Sequence, residues 1–167
     1  YQSCNPSQPI PMAFFNGTSD PVMPYNGGAM QNPLVTPVVP VDTAVQYWVD
    51  HNNCSNPIPV FNFPDTFPTD NSTAELYRYK DCDCHAEVYF YKLINGGHTW
   101  PGVYIASQAS VLGNTNRDIH ASEELWDFFD SFSLCQNPVG IQESRPDVEA
   151  KTLLITNPIS RSLYRTS

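Results

Sequence analysis

His98 is the residue of this sequence whose surroundings best suit chemistry. It stands in Asn-Gly-Gly-His-Thr-Trp-Pro-Gly, residues 95–102, and imidazole is the side chain that gives and takes protons near neutral pH. The two glycines permit positive φ and close approach of backbones, and the proline fixes the chain beyond them. A loop that leaves the end of a strand is a typical place for a catalytic group. The alternative is a turn histidine without a chemical role.

The cysteines allow two kinds of chemistry, metal binding and disulfide formation. Cys-Asp-Cys-His at residues 82–85 lacks a second ligand pair at zinc spacing, so we predict no metal site and no cofactor. Dispersed cysteines in an acidic chain with few lysines favour an extracytoplasmic protein with a disulfide. Because their number is odd, at least one thiol is free or paired outside the chain. The five are Cys4, Cys54, Cys82, Cys84 and Cys135.

The elements that must position His98 follow an α/β pattern. Segment 86–94 is rich in β-branched and aromatic residues and predicts the strand that leads to His98, and the apolar segment 10–17 predicts an earlier buried strand. The pattern predicts helices over 41–53 and 116–134, and a proline-rich acidic loop over 55–72. The succession strand, helix, strand, helix indicates an α/β fold with a parallel pair of strands.

Both predicted helices are amphipathic, and each has a candidate N-cap. Asp42 is expected to cap the first helix and Asp118 the second. The first helix has an apolar stripe, made of Val45, Trp48 and Val49. The second has one broad apolar face that is expected in the core, made of Ile119, Leu125, Trp126, Phe129 and Phe132.

Composition and charge exclude several classes of protein. With 167 residues, of which 41% are hydrophobic, the chain is long enough for one domain with a core. Its formal charge of −9 argues against nucleic acid and anionic membrane surfaces as partners, since both need basic patches. No segment of the sequence is long and apolar enough to insert into a bilayer. The chain begins at Tyr1 without a methionine or a signal peptide, so we expect a piece of a longer protein.

The character of the sequence changes after Cys135. Residues 136–150 are polar and predict a linker, whereas residues 151–167 form a short apolar segment followed by a turn. We therefore expect a domain at 1–135, a linker at 136–150 and a truncated tail at 151–167.

Three segments together resemble a known family. They are FFNGTSDPVMPYNGG at 14–28, INGGHTWPG at 94–102 and DIHASEELWDFF at 118–129. In this order they resemble the C-terminal part of secreted polyhydroxybutyrate-depolymerase-like and feruloyl-esterase-like α/β-hydrolases. The resemblance covers residues 1 to about 135 and implies a C-terminal fragment of such a domain, with the last parallel strands and helices of its sheet.

The resemblance implies catalytic roles for Asp20 and His98. In that family the aspartate of the first loop and the histidine of the second belong to a Ser-His-Asp triad. The histidine takes the serine proton and later gives it to the leaving alcohol, while the carboxylate fixes the tautomer of the imidazole. For Asp20 taken alone the alternative is an Asx turn, because Ser-Asp-Pro is typical turn chemistry.

The chain departs from the family at two points. Asn16-Gly17-Thr18 stands where the family usually has His-Gly-Thr, and we expect the asparagine to be tolerated because it also bonds loop backbone. No Gly-x-Ser-x-Gly motif occurs in the sequence. We therefore expect the nucleophilic serine and the oxyanion hole upstream of Tyr1, in the missing N-terminal part of the same domain. The chain alone is then expected to be inactive.

The resemblance also implies one disulfide. In that family a cysteine just after the first helix and one six residues before the first valine of the second strand are commonly bridged, and here these are Cys54 and Cys82. The competing pairs are Cys54–Cys84 and Cys82–Cys84, of which the second closes a strained ring. The partners of the remaining cysteines stay open.

The implied function is that of a secreted serine carboxylesterase. Its substrate would be a hydroxyalkanoate polyester, or a feruloyl or acetyl ester of plant polysaccharide. Trp100 and Tyr25 stand near the presumed cleft, where they either line the substrate pocket or pack the loops. The alternative function is a non-catalytic carbohydrate- or polymer-binding module with exposed aromatic residues as its platform.

The tail carries a resemblance of its own. Asn-Pro-Ile-Ser-x-x-Leu at residues 157–163 is similar to the start of the C-terminal sorting domains that Bacteroidetes-type bacteria use for type IX secretion. Together with the cysteines and the acidity, it implies an extracellular protein.

Overall fold

A four-stranded mixed sheet forms the centre of the structure. The structure is a computed structural model and describes residues 4–30, 36–55 and 59–132. Its strands are β1 (Met12–Gly17), β2 (Phe61–Asn62), β3 (Thr73–Tyr79) and β4 (Val88–Ile94), in the spatial order β1-β4-β3-β2. β1 runs parallel to β4, whereas β3 is antiparallel to β4 and β2 is antiparallel to β3. The mixed content and the parallel pair agree with the predicted α/β class.

Two helices cover opposite faces of this sheet. These two helices are α1 (Val41–His51) and α3 (Ala121–Asp130), and a single helical turn, α2 (Ala109–Leu112), lies between them in the chain. Alternate side chains of β4 point to opposite faces. One face packs against α3 through Tyr89, Tyr91, Leu93 and Phe128. The other packs against α1 through Val45, Val49, Val88 and Phe90. Because both faces of β4 are covered, the strand is nearly continuous in apolar residues.

Both helices are shorter than the sequence predicts. The helix expected over 41–53 ends at His51, and the one expected over 116–134 runs only from Ala121 to Asp130. Positions 133 and 134 lie outside the described residues. Asn116 is fully buried and donates a hydrogen bond to the hydroxyl of Ser72 at 3.2 Å, so the start of the predicted segment is held by a distant contact instead of a helical turn.

Neither predicted aspartate caps its helix, and both predictions are therefore wrong. Asp42 accepts a hydrogen bond from the hydroxyl of Tyr25 at 2.6 Å. Asp118 accepts hydrogen bonds from the backbone N–H groups of Thr66 and Phe67 at 2.8 and 3.2 Å. In both cases a donor from a distant segment takes the carboxylate, and the local sequence does not contain that donor.

Two strands lie where the sequence pattern predicts none. β2 and a 3-10 turn at Pro68–Asp70 interrupt the loop predicted over 55–72. β3 pairs along the whole length of β4, from Thr73 opposite Ile94 to Tyr79 opposite Val88. This pairing places β4, the strand that leads to His98, between two neighbours.

The exposed side of α3 corrects the predicted core. Trp126 and Phe129 were expected inside, but they are 73% and 63% exposed, whereas Phe128 is 3% exposed. Ile119 is buried as predicted, and Leu125 packs against the core. The apolar stripe of this helix is wider than the arc that the sheet covers, so its outer edge stays at the surface.

The Cys54–Cys82 disulfide is confirmed. It joins the segment after α1 to the turn between β3 and β4, and it excludes the competing pairs Cys54–Cys84 and Cys82–Cys84. Cys84 is itself disulfide-bonded, and Cys135 lies outside the described residues. The bridge ties the helix on one face of the sheet to the start of the strand that carries His98.

Other predictions concern segments or features away from the sheet. The linker at 136–150 and the tail at 151–167 lie outside the described residues. Within the described part of the chain, no helix has the length and apolar character that crossing a membrane requires. In that same part, no group of three or more His, Cys, Asp and Glu side chains is arranged to hold a metal ion.

Candidate active site

Asp20 and His98 form a hydrogen-bonded pair. Their side chains come from residues 78 positions apart, and Oδ2 of Asp20 lies 2.8 Å from Nδ1 of His98. The aspartate side chain is 10% exposed and the histidine side chain 42% exposed. The carboxylate therefore lies behind the imidazole, and the opposite ring nitrogen, Nε2, is directed away from Asp20.

The second carboxylate oxygen of Asp20 fixes the orientation of the group. Oδ1 accepts hydrogen bonds from the backbone N–H groups of Val22 and Met23 at 2.7 and 2.8 Å. This is the Asx turn that Ser-Asp-Pro indicates, and it coexists with the bond to His98 because each oxygen serves one of them. The turn holds Oδ2 at the position where the imidazole meets it.

The parallel pairing of β1 and β4 brings the two loops together. Gly17, the last residue of β1, is the register partner of Leu93 near the end of β4. Beyond the strands, the Thr18 N–H donates to the Leu93 carbonyl at 2.9 Å, and the Asn95 N–H donates to the Thr18 hydroxyl at 2.8 Å. The Ser19 N–H donates to the carbonyl of Gly96 at 2.9 Å. The loops of Asp20 and His98 are thus bonded to each other through their backbones as well as through the two side chains.

The glycines of these loops serve close approach. A Cβ atom added at Gly17 would overlap the carbonyl of Gly96, and one added at Gly97 would overlap the carbonyl of Leu112. The residue of this turn with positive φ is Asn95, at 56°, not either of the two glycines that follow it. Of the two reasons that the sequence offers for Gly-Gly before His98, backbone proximity is the one that the structure shows.

A third segment supports the histidine loop from behind. The His98 N–H donates to the carbonyl of Leu112 at 2.6 Å, and the Gly97 N–H donates to that of Asn114 at 2.8 Å. The hydroxyl of Thr99 donates to the same Asn114 carbonyl at 3.0 Å. The loop is therefore bonded on both sides, to the Asp20 loop and to residues 112–114, so His98 is presented on a fixed backbone.

A cavity of about 350 Å³ opens in front of the pair. Its apolar wall contains Phe15, Met23 and Trp100, next to Asp20 and His98. Trp100 is 44% exposed, and its Nε1 donates to the hydroxyl of Ser122 at 3.0 Å. Trp100 therefore lies where the sequence places it, at the edge of the cleft, and it is anchored to α3.

Tyr25 lies in the core and not at the cleft. It is 8% exposed, packs in the cluster of α1, and donates its hydroxyl to Asp42. Burial, with the neighbouring Asp42 carboxylate, raises the pKa of Tyr25 above its ordinary value. Tyr25 is not one of the described residues that line the cavity. The position favours the packing role over the substrate-binding role.

Asn52 supports the site from the opposite end of the sheet, and the sequence analysis does not find it. Its side chain is fully buried. Nδ2 donates to the carbonyls of Ile10 and Ala86, both at 2.7 Å, and Oδ1 accepts from the Ile10 N–H at 3.1 Å. The amide therefore joins the chain entering β1 to the chain entering β4. Its local context, a run of polar residues after a helix, indicates only a turn.

Comparisons with known proteins gave no match. The chain matches no protein-family model, no curated protein and no solved structure.

Proposed function

We propose that this chain supplies the Asp-His pair of a serine carboxylesterase, in the C-terminal part of an α/β-hydrolase domain. The observation that carries the proposal is the 2.8 Å contact between Asp20 Oδ2 and His98 Nδ1 at the carboxyl ends of two neighbouring parallel strands. In open α/β sheets, functional sites occupy this edge. The substrate would be a hydroxyalkanoate polyester, or a feruloyl or acetyl ester of plant polysaccharide.

In this mechanism the two side chains have separate tasks. Nε2 of His98 takes the proton of an attacking hydroxyl and then gives it to the leaving alcohol. Asp20 holds the other proton on Nδ1, which leaves Nε2 free to act as a base, and its charge stabilises the imidazolium that forms. The two N–H bonds to Oδ1 keep the carboxylate in this orientation throughout the reaction.

The nucleophile is proposed to come from outside these residues. Thr99 is the one hydroxyl side chain among the described residues that line the cavity, and it already donates to the carbonyl of Asn114. The described part of the sheet pairs β1 only with β4, so the outer edge of β1 is open to a further parallel strand. A parallel strand there would end at the same edge of the sheet as the loops of Asp20 and His98, and we propose that a segment on that side supplies the nucleophilic serine.

The acyl or aromatic part of the ester would lie against the wall of Phe15, Met23 and Trp100. These side chains line the same cavity as His98 and are its large apolar residues, whereas the rest of the lining is mostly polar. Secretion is proposed together with the activity, because structural disulfides persist mainly in oxidising compartments.

The proposal is tested by comparing the natural full-length protein with the 167-residue chain. Each is assayed on p-nitrophenyl acetate and treated with a fluorophosphonate, which labels activated serines. We expect the longer protein to turn over the ester and to be labelled at a serine upstream of Tyr1, and the His98→Ala variant to lose both properties. The 167-residue chain should show no turnover above its own His98→Ala background.

His85→Asn provides the matched control for the histidine substitution. His85 is exposed and has φ of 57°, a conformation that asparagine accepts, and it lies in the turn before β4. Its substitution should leave turnover unchanged. Turnover of the full-length protein that persists in His98→Ala would remove this residue from the mechanism. A full-length protein that binds polysaccharide or polyester but neither reacts with the probe nor hydrolyses the ester would favour the non-catalytic binding module.

A further inference from the structure

We propose that a second cavity, behind the catalytic loop, binds a neutral saccharide. This cavity has a volume of about 330 Å³, and its walls include Thr69, Asp70, Asn71, Tyr104 and Arg117. The inference goes beyond the proposed ester hydrolysis, because binding a sugar at this place requires neither His98 nor a nucleophile.

The walls of the cavity are held by contacts that do not involve a ligand. The guanidinium of Arg117 lies 4.4 Å from the ring centre of Phe67 and 5.7 Å from that of Tyr104. The backbone N–H of Arg117 donates to Oδ2 of Asp70 at 2.8 Å, and the backbone N–H of Ser72 donates to Oδ1 of the same carboxylate at 2.8 Å. These contacts join the 3-10 turn, Tyr104 and the segment before α3, so the cavity is formed before any ligand enters.

The chemistry of the lining fits a sugar ring. A pyranose has an apolar C–H face, which suits an aromatic surface, and a rim of hydroxyls that both donate and accept hydrogen bonds. Tyr104 is 54% exposed and offers the aromatic surface. The exposed side chains of Thr69 and Asn71 offer a hydroxyl and an amide, which also donate and accept.

The charges at the cavity favour a neutral ligand. Arg117 and Asp70 contribute one positive and one negative charge, and the Arg117 backbone is bonded to the Asp70 carboxylate. A ligand with a net charge would be attracted by one of these groups and repelled by the other. A polyester segment, which has ester carbonyls as acceptors and no donors, could accept from the Thr69 hydroxyl but would offer no donor to the Asp70 carboxylate or to the amide oxygen of Asn71.

One backbone segment separates this cavity from the candidate active site. Gly113, Asn114 and Thr115 line the saccharide cavity, while the Asn114 carbonyl accepts hydrogen bonds from the Gly97 N–H and the Thr99 hydroxyl on the catalytic side. If the proposed function holds, a sugar bound here would belong to the carbohydrate part of the ester whose acyl part meets Trp100. That extension rests on the proposed function, whereas sugar binding itself does not.

Binding is tested by native affinity electrophoresis of the full 167-residue chain. The gels contain soluble neutral polysaccharides, namely arabinoxylan, hydroxyethyl cellulose or galactomannan, and no ester chemistry is needed for a signal. We expect at least one of them to retard the chain. Tyr104→Ala should weaken the retardation at least about tenfold, because the aromatic ring supplies most of the apolar contact area. Thr69→Arg, which places a long side chain at the exposed mouth of the cavity, should weaken it as well.

Trp126→Ala is the matched control, since Trp126 is a large aromatic residue at 73% exposure on α3 and does not line this cavity. It should bind like the unmodified chain, and circular dichroism should show that all three variants keep their fold. Absence of retardation in every gel would overturn the inference, and so would unchanged binding by Tyr104→Ala. Tyr104-dependent binding to polyhydroxybutyrate granules without binding to any polysaccharide would overturn it in favour of a polyester site.

Discussion

The two ends of the parallel strand pair are built in opposite ways. Where the chain enters β1 and β4, the fully buried Asn52 bonds the backbone of both strands, and the Cys54–Cys82 disulfide lies next to it. Where the strands end, the chain forms close-packed glycine loops, and the His98 side chain is 42% exposed. One end places its polar group inside the protein, and the other presents its polar groups to a cavity.

Because of this difference, we expect the polar side chains at one end to serve the stability of the fold and those at the other end to serve chemistry. A polar side chain that is buried and fully bonded stabilises one arrangement of the backbone. A polar side chain at a cavity can exchange a proton with a ligand, and it contributes less to the fold. We call the end where the chain enters β1 and β4 the entering end, and the end where these strands finish the leaving end. Substitutions at the entering end should therefore change the free energy of unfolding, whereas those at the leaving end should change activity at nearly constant stability.

The largest expected effect is on activity at the leaving end. If the proposed function holds, His98→Ala in the protein that contains the nucleophilic serine should lower kcat/KM by about 10⁴-fold or more, because the proposed general base is lost. Steady-state kinetics on p-nitrophenyl esters measures this loss, and urea unfolding should show a midpoint close to that of the unmodified protein. A large shift of the midpoint would show that His98 also holds the fold and would break the separation.

Asp20→Asn should lower activity by a similar factor, about 10⁴-fold, for a different reason. The N–H groups of Val22 and Met23 require an acceptor, so the amide oxygen takes the position of Oδ1 and the amide NH₂ faces His98. Nδ1 of the imidazole then becomes an acceptor, and its proton moves to Nε2, which can no longer act as a base. Nitrogen-15 NMR of the ring detects this change of tautomer, and an unchanged tautomer would contradict the assigned orientation.

The next largest effect is expected from the disulfide. Replacing Cys54 and Cys82 together by serine should lower the free energy of unfolding by about 3.5 kcal/mol, because the unfolded chain regains the freedom of the loop between them. Urea unfolding without reductant measures the change, with the exposed Cys4→Ser as the control. Equal midpoints for the double variant and the control would show that the entering end does not depend on this bridge.

Asn52→Leu should lower the free energy of unfolding by about 3 kcal/mol, because it leaves the buried carbonyl of Ala86 and the partly buried N–H and carbonyl of Ile10 without their partner. Asn53→Gly is the control, since Asn53 is exposed and has φ of 51°, which glycine adopts freely. Urea unfolding again supplies the measurement. A loss of stability in Asn53→Gly as large as that in Asn52→Leu would contradict the role assigned to the buried amide.

The smallest effect per residue concerns alkaline pH. Burial and a carboxylate partner raise the pKa of Tyr25 and of Tyr91, and burial raises the pKa of Tyr77 to about 12. Tyrosines in the unfolded chain ionise near pH 10. The contribution of these groups to stability is therefore complete below pH 10 and falls as pH rises toward the folded-state pKa values.

The free energy of unfolding should accordingly decrease between pH 10 and pH 12. Tyr25 and Tyr91 should each contribute up to about 1.4 kcal/mol per pH unit to this decrease. Urea titrations at several pH values measure this slope, and Tyr25→Phe should make it shallower. A slope that Tyr25→Phe leaves unchanged would show that this hydroxyl ionises equally in both states.

Sequence reasoning predicts the elements that carry the candidate site better than those around them. The strands before Asp20 and His98 follow from apolar runs, which are local signals, and their parallel pairing follows from the succession of strand, helix and strand. The pairing of Asp20 with His98 is what the family resemblance implies. β3 was missed although Thr73–Tyr79 contains aromatic residues, because its partner in the sheet settles its structure. Asn52 could not be found, since its three bonds connect it to residues 42 and 34 positions away.

The failed predictions share one physical cause. A pattern shows that Asp42 and Asp118 can accept N–H groups, but it does not show that Tyr25 or a remote backbone will supply a better donor. In the same way, the apolar stripe of α3 predicts that one side packs, but not how wide an arc the sheet covers, so Trp126 was placed inside. Tertiary contacts decide between alternatives that are equal at the local level.

The contact between Gly17 and Gly96 restricts how the two loops can vary. The two backbones lie so close that a methyl group on Gly17 would not fit, and this close approach sets the separation between Asp20 and His98. Exposed positions of the loops can change in charge or polarity without moving the pair. At Gly17 any larger residue would overlap the Gly96 carbonyl and push the loops apart, so variation at this position is limited by side-chain volume.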